Sequence, residues 1–189
     1  MQLRNAIEII LHPENEWLRM EEQETERRSL LRYGMTCIVL SHGLLLLWIF
    51  ISTSNRGVSY PHTSYGPLYL SVAVLFRFAM NLGCLFLLPS LIAELAPSFH
   101  GTRDSFRALK LYVFAMTPAW AGMIFGGLGI LSGFYSIYLL WNYADVALDI
   151  PPLKKVSFVV TIVFLLMILQ WIFYAMALPI ADLVLKSSS

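Results

Sequence analysis

The sequence predicts an all-α fold: a polytopic transmembrane bundle of five spans, with the N-terminus cytoplasmic and the C-terminus outside. Three observations predict it. Hydrophobic residues make up 58% of the 189 residues and charged residues 13%, against about 25% charged in a soluble domain. The mean hydropathy of +0.67 agrees. Charge is also segregated, because residues 1–32 hold five Arg and seven Glu, 12 of the 25 charges in the chain. Finally, apolar runs long enough to cross roughly 30 Å of hydrocarbon, about 20 residues each, recur along the remainder. Such runs leave no polar shell for a soluble core. A net charge of +1 carries no polyelectrolyte signature and argues against nucleic acid as a partner. Cys37 and Cys84 lie inside apolar runs and read as buried free thiols.

The expected organisation is a head at 1–32, a membrane domain at 33–186 and a tail at 187–189, where the three serines read as a frayed end or a cloning scar. The first span runs from Tyr33 to Thr53 and contains Leu44-Leu45-Leu46-Leu47-Trp48-Ile49-Phe50. Charged residues precede it and it is too long for a signal h-region, so it stays as an anchor. The second runs from Leu68 to Leu95, long enough to tilt or to break. Leu109–Phe125 and Leu128–Ala147 form the third and fourth, joined as a hairpin by Gly126-Gly127, and Val156–Leu178 the fifth. Basic residues orient the bundle. Arg4, Arg19, Arg27, Arg28, Arg32, Arg103, Arg107, Lys110, Lys154 and Lys155 fall on one side, and Arg56 and Lys186 on the other. That split puts the head in the cytoplasm.

Within the head, Leu3, Ala6, Ile7, Ile10 and Leu11 follow an i, i+3, i+4, i+7, i+8 pattern and predict an amphipathic helix. It either lies on the inner leaflet or packs under the bundle. Pro13 suits the first position of a second helix, with Glu14 and Glu16 in the turn that the helix dipole favours for acids. Glu21, Glu22, Glu24 and Glu26 make this second helix acidic. It reads either as a dock for a basic partner or as a solvated linker with Trp17 and Met20 against the membrane.

Several motifs resemble those of one family. Pro13-x-x-x-Trp17-x-x-Met20-x-Glu22 is similar to the head of bacterial membrane proteins with a Yip domain, named for Ypt/Rab-interacting proteins. Phe99-x-Gly101 and Leu109-x-x-Tyr112-x-x-x-x-Thr117-Pro118-Ala119-Trp120-x-Gly122 resemble the family's third-span region. Gly133-Phe134-Tyr135-Ser136-Ile137-Tyr138-Leu139-Leu140 resembles its fourth span, and Pro151-Pro152-x-Lys154-Lys155 its last cytoplasmic turn. The resemblance covers nearly the whole chain. It implies five spans, a cytoplasmic N-terminus and, for eukaryotic members, Rab-type GTPase binding. The long soluble N-terminal region of those members is not matched here. The short head implies a bacterial cytoplasmic (inner) membrane protein, a group that carries no agreed activity.

Enzyme signatures such as H-E-x-x-H, C-x-x-C, G-x-S-x-G or a Walker loop do not occur. His12, His42, His62 and His100 are too scattered to suggest a metal site, and no cofactor is expected. Polar groups within spans are costly and usually face the bundle interior, so His42, Arg77, Asn81, Asn142, Asp145 and Gln170 are the candidates, with Glu94 at a boundary. Arg77, placed near the midplane, is expected to point inward and to be held by His42, Asn81 or the carbonyl that Pro118 frees. Asn142 and Asp145 are accounted for by polarity at a helix end. Thr117-Pro118 predicts a kink or hinge. Gly122-x-x-x-Gly126 and Gly129-x-x-x-Gly133 predict close helix packing, within the hairpin before between copies. Tyr135 and Tyr138 share a face, with hydroxyls that need a carbonyl.

The leading expectation is a non-enzymatic adaptor or assembly component, with membrane lipid around it, a protein partner at the cytoplasmic head and a homo-oligomer as one arrangement. The alternative is a small membrane transporter, permease or lipid-handling protein built on the region around Arg77. A third, an intramembrane enzyme, has only Asp145 and the scattered histidines to offer.

Overall fold

The computed structural model describes residues 3–22, 26–54, 67–123 and 128–187. Those residues form α1 (Leu3–Leu11), α2 (Pro13–Glu22), α3 (Arg27–Ser54), α4 (Pro67–Leu95), a 3-10 turn (Ala96–Phe99), α5 (Ser105–Gly122), α6 (Leu128–Leu148) and α7 (Pro152–Ser187). All of the regular structure in them is helical. By length and composition, three helices among the described residues are able to cross a membrane: Arg27–Ile51, Leu70–Phe99 and Pro152–Phe173. Helices α5 and α6 occupy the third and fourth expected spans at 18 and 21 residues and are shorter than α3, α4 and α7. The Gly126-Gly127 turn lies outside the described residues.

Each helix starts or stops for a visible reason. Pro13 takes the first position of α2, where its missing N–H costs nothing. Asp104 caps α5, its Oδ1 accepting from the backbone N–H of Phe106 at 2.8 Å and Arg107 at 3.0 Å. Pro89 sits inside α4, which nevertheless runs unbroken over 29 residues. Helix α5 likewise continues through Pro118. The head boundary drawn at Arg32 falls within α3, which begins at Arg27.

Helix α5 is the column of the bundle. It packs against α1, α3, α4 and α6, and its run Leu111, Tyr112, Val113, Phe114 and Ala115 is buried without interruption. A helix buried on every side in this way leaves its neighbours to face the surroundings. Close approach of α3 to α4 favours a small residue, and Gly34 supplies it: a Cβ there would stand 2.9 Å from a Leu85 methyl of α4.

The head is seated on this column. Ile9 is fully buried and the Ile10 carbonyl, an orphan at the α1 terminus, accepts from the Tyr135 hydroxyl of α6 at 3.0 Å. Ile7 and Leu11 are exposed, at 60% and 64%. Of the expected stripe, Ile7 and Leu11 do not pack under the bundle, while Ile9, which lies off the stripe, does. That i,i+4 pair turns away. The reason is Tyr135, which fixes the end of α1 through its backbone and so sets the rotation of the helix.

Just before the start of α5, Gly101 is forced by packing. A Cβ there would stand 2.6 Å from the Leu148 carbonyl, on the path of the Thr102 N–H that donates to that carbonyl at 2.8 Å. At Gly133 an added Cβ meets nothing within 4 Å, so this residue is not packed closely within the chain. The expectation of intramolecular packing at Gly133 is thereby corrected, because its side of α6 is uncovered beside exposed Ile130 and Phe134. Gly101→Ala is therefore expected to cost about 1–3 kcal/mol and Gly133→Ala close to nothing, read as thermal unfolding of the detergent-solubilised chain.

Candidate functional site

Two groups of polar residues stand apart from the apolar framework. The first joins α3 to α4. Ser41, His42 and Asn81 are buried, at 2%, 2% and 8% exposure. His42 Nδ1 is 2.8 Å from the Ile38 carbonyl, which only accepts, so Nδ1 carries the proton. In the neutral ring Nε2 is then the acceptor, and Asn81 Nδ2 donates to it at 3.5 Å. The same amide nitrogen donates to the Arg77 carbonyl at 2.8 Å. Ser41 Oγ donates to Ile38 O at 3.0 Å, and Phe78 meets the imidazole edge-on at 5.6 Å. The cluster is satisfied by its own members, as a buried polar group requires.

The Arg77 side chain is not part of it. Arg77 lies on the same stripe of α4 as buried Asn81, Cys84 and Leu88, yet its side chain is exposed, and its guanidinium meets no acceptor among the described residues. The bonds expected from Arg77 to His42, Asn81 or the carbonyl freed by Pro118 are absent among the described residues, while its charge still acts on His42. The candidate span Leu70–Phe99 puts Arg77 about two turns from its start.

Further along α5, Thr117 Oγ1 donates to the Val113 carbonyl at 2.8 Å. Its single proton is thereby used, so the Tyr33 hydroxyl of α3, 3.3 Å away, is the donor between the two. Thr117 thus braces the proline turn rather than standing open to a ligand. Gly122 is buried at the end of α5, while Gly126 and the surroundings of Gly129 lie outside the described residues.

The second group gathers at the end of the bundle that carries Arg103, Arg107, Lys110, Lys154 and Lys155. Here the Thr102 hydroxyl donates to Asp149 Oδ2 at 3.0 Å, and Arg107 Nη1 lies 3.4 Å from the same oxygen. Two left-handed residues, His100 at φ 63° and Asp149 at φ 55°, turn the chain on either side of this contact. Lys155 Nζ pairs with Asp145 at 2.9 Å and donates to the Asn142 carbonyl at 3.3 Å. Asn142 and Asp145 therefore fasten α6 to α7. Trp17 of the head completes the end: it stacks on Tyr143 with centroids 4.9 Å apart and meets Phe114 edge-on at 5.2 Å. Between Trp17, Asp104, Phe106, Arg107, Lys110, Val146 and Ala147 lies a cavity of about 250 Å³. Sequence reasoning left Asp104, Asp149 and the cavity unnoticed, although an Asp before an apolar run is a legible cap signal.

The family model described as the Yip1 domain matches residues 7–174, from α1 into α7. The chain belongs to the Yip1 domain family. No curated protein and no solved structure matches it. The residues that carry the Yip1 resemblance are those that hold the basic end and the column together: Trp17, Gly101, Tyr112, Thr117, Trp120, Tyr135 and Lys155 are all packed or bonded as described. Among the described residues no group of three His, Cys, Asp or Glu converges on a metal-sized space.

These geometries separate Asn81 and Arg77 energetically. Asn81→Leu strips the donor from a buried imidazole nitrogen and is expected to cost about 1–3 kcal/mol. Arg77→Leu, at an exposed position, is expected to fall within about 0.5 kcal/mol of the parent. Denaturant or thermal unfolding in one detergent compares them directly.

Proposed function

We propose that this Yip1-family membrane protein is a non-enzymatic adaptor or assembly component, embedded by five spans in a bacterial cytoplasmic membrane. In this reading the N-terminus is cytoplasmic, the C-terminus is outside, and the basic end faces the cytoplasm. The ten basic residues on that side support the orientation. One observation carries the adaptor reading: the head is built onto the bundle as a fixed surface. Trp17 is wedged between α5 and α6, and Ile10 is tied to Tyr135. A tether that merely trailed from the first span would need neither. Beside this anchor, α2 carries Glu14, Glu16, Glu21 and Glu22 in sequence, and Leu18 is 57% exposed. An acidic helix with an apolar spot suits a partner whose own surface is basic.

The polar groups available for chemistry are already engaged with one another. Asp145 is held by Lys155, and His42 by Ile38 and Asn81. That supports a framework role for them over a catalytic one.

Purification from native membrane tests the reading. The expected outcome is a protein partner in stoichiometric amount, retained by the parent and lost when Leu18→Asp alters the exposed spot. A pure homo-oligomer with no second protein would contradict the adaptor reading. Orientation is tested by thiol labelling in a background with Cys37 and Cys84 replaced by Ala. Cysteine at 154 is expected to react only from the cytoplasmic side, and cysteine at 127 only from the outer side.

A further inference from the structure

The cavity at the basic end is lined by unlike groups that share one kind of ligand. Arg107 and Lys110 contribute two positive charges and Asp104 one negative. The Asp104 carboxylate is spent internally, since Oδ1 accepts the Phe106 and Arg107 amides and Oδ2 lies 3.8 Å from Arg107 Nε. Lys110 stands over the Phe106 ring at 4.9 Å, so its ammonium is positioned within the lining. Trp17 supplies the decisive observation. Its side chain is only 6% exposed, and its Nε1–H, a donor with no acceptor role, has no partner among the described residues. A buried unsatisfied donor is costly, and it belongs to a residue that lines the space. Arg107 already meets Asp104 and Asp149, and Asp104 caps the start of α5, so the unmet donor in this lining is the Trp17 N–H. With two cations and one carboxylate around it, the lining is net positive and favours an anionic oxygen acceptor. The walls completed by Phe106, Val146 and Ala147 are apolar, as beside the glycerol and upper acyl region of a lipid.

We propose that this cavity binds a phosphate group carried as an ester, with Trp17 Nε1, Lys110 and Arg107 as its donors. The first turns of α5 follow the chain's boundary residues Glu94 and Arg103 and lie at the depth of membrane headgroups, so a lipid phosphate is the source that the fold favours. A soluble phosphate ester has the same donor requirements. Only the lipid source rests on the membrane placement proposed above; phosphate binding itself does not. An inverted orientation revealed by labelling would therefore leave the site standing.

Native mass spectrometry and thermal shifts of the full chain in detergent separate the outcomes. The probes are phosphatidylglycerol, diacylglycerol, glycerol 3-phosphate and inorganic phosphate. Phosphatidylglycerol is expected to bind and to raise the melting temperature, with diacylglycerol inert. Trp17→Phe keeps a ring between Phe114 and Tyr143 while removing the N–H, and is expected to weaken binding roughly tenfold. Lys110→Gln gives a second, independent loss should the tryptophan variant fold poorly. Lys154→Gln, exposed and away from the cavity, is expected to bind as the parent does. Glycerol 3-phosphate or inorganic phosphate acting as strongly as the lipid would assign the site to a soluble ligand. Equal binding by parent, Trp17→Phe and Lys110→Gln, or equal binding of diacylglycerol, would overturn the proposal.

Discussion

Trp17 is the interaction on which the arrangement of the basic end depends. Its ring lies between Tyr143 of α6 and Phe114 of α5, two residues that themselves meet edge-on at 5.0 Å. Three aromatic rings from three helices thus form one packed unit. Aromatic pairs of this kind contribute about 0.5–1.5 kcal/mol beyond the area they bury. With the head held there, α1 is positioned for Ile9 to enter the core and for Ile10 to receive the Tyr135 hydroxyl. The wall of the cavity follows from the same placement.

The basic end is rigid because its backbone is doubly tied. Gly101 approaches Leu148 more closely than any residue with a Cβ is able to, which lets the Thr102 amide reach the Leu148 carbonyl. Asp149 then gathers Thr102 and Arg107, while Asp145 takes Lys155. These pairs are at least partly exposed, and each is worth little alone. Their effect is positional: they set where α5 starts relative to where α6 ends. The far half of the bundle differs. There α7 leaves Trp171 and Met176 exposed, and Arg77 stands open on α4.

How much of this was legible depended on which physical signal carried it. Helix positions were, because length and hydropathy are set by the thickness of the hydrocarbon, and α3, α4, α6 and α7 run over the expected segments. The two head helices were readable from Pro13 and the spacing of the apolar residues. Rotation was harder. A helix that is apolar on all sides has no polar face to orient it, so the bonds expected of Arg77 did not follow from its position on α4. Small and polar residues carry the missing information, since close packing and internal hydrogen bonds select them. Gly34, Ser41, Asn81 and Cys84 mark the inner faces of α3 and α4 in this way. The cavity was out of reach because it joins residues 17, 104–110 and 146–147, whose proximity no local pattern encodes.

The central claim is that the head is an integral part of the folded bundle. Hydrogen exchange of the full chain in lipid nanodiscs tests it most directly. Amides at Ile9–Leu11 and Trp17–Arg19 are expected to be protected to a degree comparable with the first turns of α5, and Trp17→Ala is expected to abolish that protection while α5 stays protected. Head amides that exchange at the rate of an unstructured peptide in the parent chain, with the bundle fully protected, would contradict the account.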